Sequence, residues 1–445
     1  MSLLKRREHS MTLTEFLKEN NTSGPARFYM PGHKGRFPLE DGYDITEITG
    51  ADSLYHADGV IRRTEERFER LYGSRTTVLS AGGSTLCIQG MLAAVRLKYG
   101  VRRVLAARNA HISFVHACAL LDIDPVWIYP TPNDRFGVSG QVRPQQLEQA
   151  LQKERDIGAV YITSPDYFGM LSDIKGLAEV CSRYGVPLLV DNAHGAHLRF
   201  LPEDRHPMSL GAALCSDSAH KTLPVLTGGA LLHASADFSA EELKEAMGLF
   251  GSTSPSYLIM QSLDACADYL EQGGKEDFSA LCDRLLPLRQ LARERGLFVF
   301  DSEPAAHFAL AGRPAAGGSL SDYLRAHGVE YDYATEDTAV LMPSPFNAPE
   351  EFERLAAALG DFVPAPDGWE TEPCPVPHPE RVCSVREASL ARGEVVPIDQ
   401  SVGRVAAQSK ITCPPGVAVV VAGERIDEAS KNLLKKSGIQ SVKVV

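Results

Sequence analysis

No run of about 18 apolar residues occurs in the chain, so a membrane-spanning helix is not expected. A secretory leader pattern is also missing. The nine cysteines are odd in number and scattered, with neither a CxxC pair nor CxxH spacing. That argues against a disulfide framework and against a zinc site, and no metal is expected. A reducing cytoplasm fits this cysteine usage best. Basic residues are in deficit: 45 Lys and Arg against 57 Asp and Glu, a formal net charge of −12. A nucleic-acid or anionic-membrane partner is therefore not expected, whereas a cationic substrate is compatible. Internal repeats and low-complexity tracts are lacking as well.

With 445 residues the chain is long enough for two or three domains. From about residue 75 strand and helix patterns alternate. Strands are expected at Thr76–Leu79, Arg103–Ala106, Pro125–Ile128, Ala159–Ile162, Pro187–Val190, Ala212–Cys215 and Gly229–His233. Helical periodicity lies between many of them, for example Leu86–Leu97 and Ile174–Tyr184. This alternation predicts an α/β fold with a mostly parallel sheet covered on both faces. Helices follow at Glu241–Leu249, Tyr257–Tyr269 and Asp277–Arg295, then a smaller α/β region. In that region Ala306–Leu310 and Ala339–Met342 read as strands, and Ser319–Ala326 and Pro349–Leu359 as helices. The proline-rich stretch Val363–Pro379 marks a crossing to a tail of helix and strand signals. The expected division is an N-terminal arm (1–60), a large domain (61–272), a small α/β domain (273–365) and a C-terminal α+β domain (380–445). A short amphipathic helix is expected at residues 12–20.

The most telling segment is Asp191-Asn-Ala-His-Gly-Ala-His197, which follows the apolar run Pro187–Val190. Asp191 then ends a buried parallel strand, where open α/β sheets place their ligands. Lys221, in Ser218-Ala-His-Lys-Thr222, precedes the next strand. An acid and a lysine at neighbouring strand ends suit pyridoxal phosphate (PLP). The lysine would hold the cofactor as a Schiff base, and the carboxylate would keep the pyridine nitrogen protonated. A solvated surface lysine and a helix-capping aspartate are the plain alternatives.

Ser80-Ala-Gly-Gly-Ser-Thr85 lies between a strand and a helix. Gly83, Ser84 and Thr85 can bring backbone amides and hydroxyls to a phosphate, or can simply turn and cap the helix. No Walker lysine follows, which excludes a nucleoside-triphosphate loop. His111 follows another strand and can stack on a ring or serve as an ordinary loop histidine. His194 and His197 flank Asp191 and either touch the cofactor or position the acid. Ser218 and His220 can reach the phosphate from the other side.

Taken together, these residues resemble the Orn/Lys/Arg decarboxylases, basic amino-acid decarboxylases of PLP fold type I. The marks are Pro31-Gly-His-Lys-Gly35, Asp52-Ser-Leu-Tyr-His56 with Gly59-Val-Ile61, the Gly-Gly-Ser-Thr loop and Ser164-Pro-Asp-Tyr-Phe-Gly169. Asp191 to His197, Ser218-Ala-His-Lys-Thr-Leu223 and Ser252-Thr-Ser-Pro-Ser-Tyr257 complete them. The resemblance implies Lys221 as Schiff-base lysine, Asp191 as pyridine partner and His111 as stacking residue. Ser84, Thr85, Ser218 and His220 would hold the phosphate. It also implies a homodimer with sites at the interface, where Ser252, Thr253 and Ser254 would reach the partner, and a place in polyamine metabolism.

The chain departs from the family pattern in several places. No N-terminal wing domain is expected before Pro31. Ile112 stands where lysine is usual, and Asn192 where glutamate commonly follows the aspartate. In the tail, Cys413-Pro-Pro-Gly-Val-Ala418 and Ala422-Gly-Glu424 replace the usual Tyr-Pro-Pro-Gly-Ile-Pro and Pro-Gly-Glu.

The expected reaction is decarboxylation of arginine, lysine or ornithine. The Cα–carboxylate bond would lie perpendicular to the ring, and Glu424 or acids near Asp52 would meet the substrate's cationic end. An aminotransferase or other PLP lyase is one alternative. A weakly active, cofactor-bound regulatory homologue is another.

Overall fold

The computed structural model describes residues 26–28, 47, 51–130, 140–366, 377–412 and 417–445. The helix expected at 12–20, the Pro31–Gly35 motif and residues 413–416 lie outside the described residues. A short strand, β1 (Ala26–Phe28), pairs in parallel with Val329–Tyr331. The main sheet has seven strands: β2 (Thr76–Ser80), β3 (Arg103–Ala107), β4 (Asp124–Ile128), β5 (Ala159–Thr163), β6 (Leu188–Asp191), β7 (Leu214–Asp217) and β8 (Ala230–Ala234). Their spatial order is β2-β8-β7-β6-β5-β3-β4. Neighbours are parallel except where β8 is involved; it runs antiparallel to both β2 and β7.

These strands are short apolar runs because helices cover both faces. One face packs on Gly83–Tyr99 and Ile112–Leu121, with Val95, Phe114, Tyr161 and Leu214 in the same buried cluster. The other packs on Pro144–Lys153 and Ile174–Tyr184 through Leu147, Leu177, Val180 and Val190. The consequence for function is geometric. The carboxyl ends of β2, β3, β5, β6 and β7 all open on one edge of the sheet.

A second, antiparallel sheet is built from Phe298–Val299, Phe308–Ala311, Thr338–Leu341 and Tyr333–Ala334. The long helix Lys275–Glu294 and the helix Pro349–Gly360 back it, with Phe278, Leu285 and Leu355 buried between the layers. Beyond residue 377, Glu394–Pro397 pairs antiparallel with Ser441–Val444, and Lys410–Thr412 with Val417–Val420. Two helices, Val385–Leu390 and Glu428–Lys436, complete this C-terminal α+β unit. Its residues Val385, Ala388, Ala418 and Val421 enter the same core as the helix Gly83–Tyr99, so it is packed onto the main sheet.

Candidate active site

A cavity of about 350 Å³ lies against the open sheet edge. Its walls come from every parallel strand end named above. Ser84 follows β2, Asn109 and His111 follow β3, Thr163 ends β5 and Asp166 follows it, Asp191 ends β6 and His194 follows it, and Lys221 follows β7. Ile411 of the C-terminal unit also reaches it.

Lys221 sits in the one-turn helix Ala219–Thr222, and its backbone amide donates to Ser218 O at 3.0 Å. Its Nζ lies 2.9 Å from His194 Nε2. Burial lowers the amine from its ordinary value, and the nearby carboxylates of Asp191 and Asp332 partly offset this. Asp191 is buried at the end of β6. It accepts the Tyr161 hydroxyl on Oδ2 at 3.0 Å and the Ala193 amide on Oδ1 at 3.2 Å. It therefore fixes its own loop but caps no long helix. The next residue, Asn192, donates to Asp217 Oδ1 at 2.7 Å, which ties the tips of β6 and β7 together. Asp217 is further held by His206 Nε2 at 2.9 Å, with His233 at 3.3 Å.

On the opposite wall Ser218 Oγ donates to Ser84 Oγ at 2.7 Å. Gly83 begins the helix Gly83–Tyr99 at φ 68°, a left-handed conformation that favours glycine. A Cβ there would meet nothing within 4 Å, so the approach to the helix start is open. The first amides of this helix lack intrahelical acceptors and carry the positive end of its dipole. Thr85 is exposed, its Oγ1 paired with Ser113 Oγ at 3.1 Å. His220 Nδ1 lies 3.1 Å from Gly229 O. His111 is exposed at the cavity, its Nδ1 against Ser113 Oγ. The structure thus brings Ser84, His111, Asp191, His194 and Lys221 to one cavity, with Ser218 touching Ser84. Ser252, Thr253 and Ser254 lie outside it, exposed on a loop.

Two expectations are corrected. Glu424 does not face substrate, because both its carboxylate oxygens are taken by the buried Arg108 at 2.6 and 2.7 Å. Asp52 caps the helix Val60–Tyr72, accepting the amides of Ser53, Asp58, Gly59 and Ile61. Burial opposes its ionisation, but these bonds hold its carboxyl below the usual value. Besides Asp191, the acid lining the cavity among the described residues is Asp166. Among the described residues its donors are the Phe168 amide at 2.9 Å, the Met170 amide at 3.0 Å and Gln141 Nε2 at 3.0 Å, all uncharged.

Sequence reasoning also missed Tyr161, Thr163, His307 and Glu303. Tyr161 and Thr163 carried a signal, as polar side chains two apart in an apolar strand. His307 and Glu303 carried none, lying more than a hundred residues from the histidines they contact.

The family model for the Orn/Lys/Arg decarboxylase major domain matches residues 12–304, and that for the family's C-terminal domain matches 372–436. The chain belongs to the Orn/Lys/Arg decarboxylase family. It is 29% identical to the Bacillus subtilis protein YaaO, over 92% of this chain and 90% of that one. It is 27% identical to an arginine decarboxylase of Halalkalibacterium halodurans, over 93% of this chain and 90% of that one. The Escherichia coli constitutive lysine decarboxylase structure shares the fold, with TM-score 0.73 and 18% identity over 97% of this chain and 81% of that chain. This family member is a PLP-dependent amino-acid decarboxylase.

The residues present fit that cofactor. Thr163 Oγ1 and Asn109 Oδ1 are buried, line the cavity and have no hydrogen-bond partner among the described residues, so the cavity is built to satisfy polar groups it does not itself supply. An amine, a carboxylate and an open helix start complete the donor set that an aldehyde, a pyridine nitrogen and a phosphate require.

Proposed function

We propose that this decarboxylase acts on a basic amino acid, arginine foremost among arginine, lysine and ornithine, releasing CO2 and the amine. The observation that carries this is Asp166, a cavity carboxyl beside the Lys221–Asp191 pair whose donors are all neutral. Among the described residues no guanidinium or ammonium group pairs with it, and such a group is what a basic substrate brings. Relatives of matching length named arginine decarboxylase support the choice of substrate.

Lys221 would hold the cofactor's aldehyde carbon, Asp191 its pyridine nitrogen, and Gly83, Ser84, Thr85, Ser218 and His220 its phosphate, with His111 on the ring face. When bound, PLP supplies an electron sink for the pair released as the Cα–carboxylate bond breaks. Asp191, itself held by Tyr161 and Ala193, would set its carboxyl group against the pyridine nitrogen. Lys221, lowered by burial, gives up its proton readily and so can exchange places with the substrate amine. Asp166 draws the substrate's distal cation to the β5 side of the cavity, which orients the α-carbon.

Supporting a homodimer, Ser252, Thr253 and Ser254 are exposed in the single chain. Seven described cysteines are free, in keeping with a cytoplasmic enzyme whose product enters polyamine metabolism. The test is a panel of amino acids with CO2 and product identified. Agmatine from arginine is expected; keto acid with no amine, or no turnover of any basic amino acid, overturns the proposal.

A further inference from the structure

Four buried side chains continue from Lys221 into the second sheet unit. Lys221 Nζ meets His194 Nε2 at 2.9 Å, and His194 Nδ1 meets His307 Nε2 at 3.2 Å. His307 Nδ1 meets Glu303 Oε1 at 2.8 Å, and Glu303 Oε2 meets His197 Nε2 at 2.8 Å. His194 is 6% exposed, Glu303 2%, and His197 and His307 0%. Arg289 pins the backbone carbonyl of Glu303 at 3.0 Å.

The donor directions along this chain are fixed from its acidic end. A carboxylate only accepts, so a neutral His307 carries its proton on Nδ1 and leaves Nε2 as a lone pair. His194 must then donate from Nδ1, which turns the Nε2 lone pair toward Lys221 Nζ. Burial opposes ionisation of Glu303, but His197 and His307 hold its carboxyl well below the usual range. Burial, with Lys221 and His307 beside it, holds the His194 imidazole well below its usual value, so it rests neutral.

We propose that Glu303 and His307 are positioning residues that set the tautomer of His194, and that His194 takes and returns the Lys221 proton. In that step the N–H bond at Nζ breaks and a bond to His194 Nε2 forms, with the electron pair staying on Nζ. No other reactant is needed. The imidazolium so formed is countered through His307 by Glu303. This rests on Lys221 being the lysine that holds the cofactor.

Glu303→Gln tests the chain because its outcome has a direction. The Ala305 amide donates to Glu303 Oε2 at 2.8 Å, so a glutamine would turn its oxygen there and its NH2 group toward His307. Every donor then reverses, and His194 points Nε2–H at Lys221. The groups facing Lys221 are His194, His111, Asp191 and Asp332; those facing His194 are Lys221, His307, His111 and His220. Apart from the tautomers of His194 and His307, none of these groups changes in this variant.

Nitrogen NMR of the full-length apoprotein should show the Nδ1–H tautomer of His194 in wild type and the Nε2–H tautomer in Glu303→Gln. A donor facing Lys221 favours the neutral amine, so the pH midpoint for cofactor capture should fall by about one unit in Glu303→Gln. It should return in Glu303→Asp. A purely structural role would leave that midpoint unmoved, and an unmoved midpoint overturns the proposal. If Glu303→Gln does not fold, an Nε2–H tautomer in wild type overturns it equally. Borohydride trapping of the cofactor on another lysine would instead sink the assignment of Lys221.

Discussion

Arg108 and Glu424 form a two-point ion pair, 2.6 and 2.7 Å, between the end of β3 and the C-terminal unit. Both side chains are buried, at 0% and 5% exposure. The guanidinium also donates from Nε to Ala418 O at 3.0 Å and lies 4.9 Å from the Trp127 ring. Asn109 and His111, next in sequence, line the cavity, so this pair fixes one wall of the site. Removing one partner leaves the other buried and uncompensated, at a cost of about 3–5 kcal/mol. Glu424→Ala should therefore lower the denaturant midpoint sharply. Arg108→Ala with Glu424→Ala should cost less than the sum of the single changes. Equilibrium unfolding of the three variants checks this, and additive costs would count against it.

Lys221→Ala removes one amine from a cavity whose core contacts do not include that side chain. Turnover should disappear while the circular dichroism spectrum and melting temperature stay close to wild type. The borohydride-fixed cofactor should vanish with it. Activity in this variant would mean that another amine does the work.

Asp191→Asn keeps the size and the neighbours of the side chain but removes its charge. Tyr161 and the Ala193 amide can still be satisfied, so cofactor retention should change little. The turnover number should fall about 10²- to 10³-fold, the loss typical of a preorganised electrostatic partner. Steady-state kinetics beside a cofactor-retention assay separates these effects. An unchanged rate would place the pyridine contact elsewhere.

The strands were legible because buried parallel strands are short apolar runs with sharp ends, and all seven overlap their expected positions. Asp191, Lys221 and Ser84 were legible for the same reason, since each follows such a strand. The helix Ile112–Leu121 was not singled out. It is buried on several sides, against the sheet and the C-terminal unit, and so shows no amphipathic period. The helix Gly83–Tyr99 begins three residues before its expected start, because glycine, serine and threonine are weak helix formers. Glu424 was misjudged because its partner, Arg108, lies 316 residues away. Glu303 and His307 escaped notice on the same ground.

Asp166 makes the last prediction, and its sign follows from burial. Desolvation pushes its carboxyl up to about 7, although the amides of Met170 and Phe168 and the Gln141 side chain pull the other way. In the unfolded chain an aspartate titrates near about 3.9. The folded state therefore keeps a proton that the unfolded state loses. This group's stabilisation is full below about pH 4 and is lost as pH rises through about 7. Asp166→Asn should flatten the stability profile in that window. Binding a cation should drive the carboxyl to ionise, so agmatine binding at about pH 7 should release about half a proton in wild type and none in Asp166→Asn. Calorimetry in two buffers of different ionisation enthalpy reads that release directly. The variant should also raise KM for arginine about 10-fold or more, in line with one lost hydrogen bond to a charged group. Proton release that persists without the carboxyl would assign the cation to another acid.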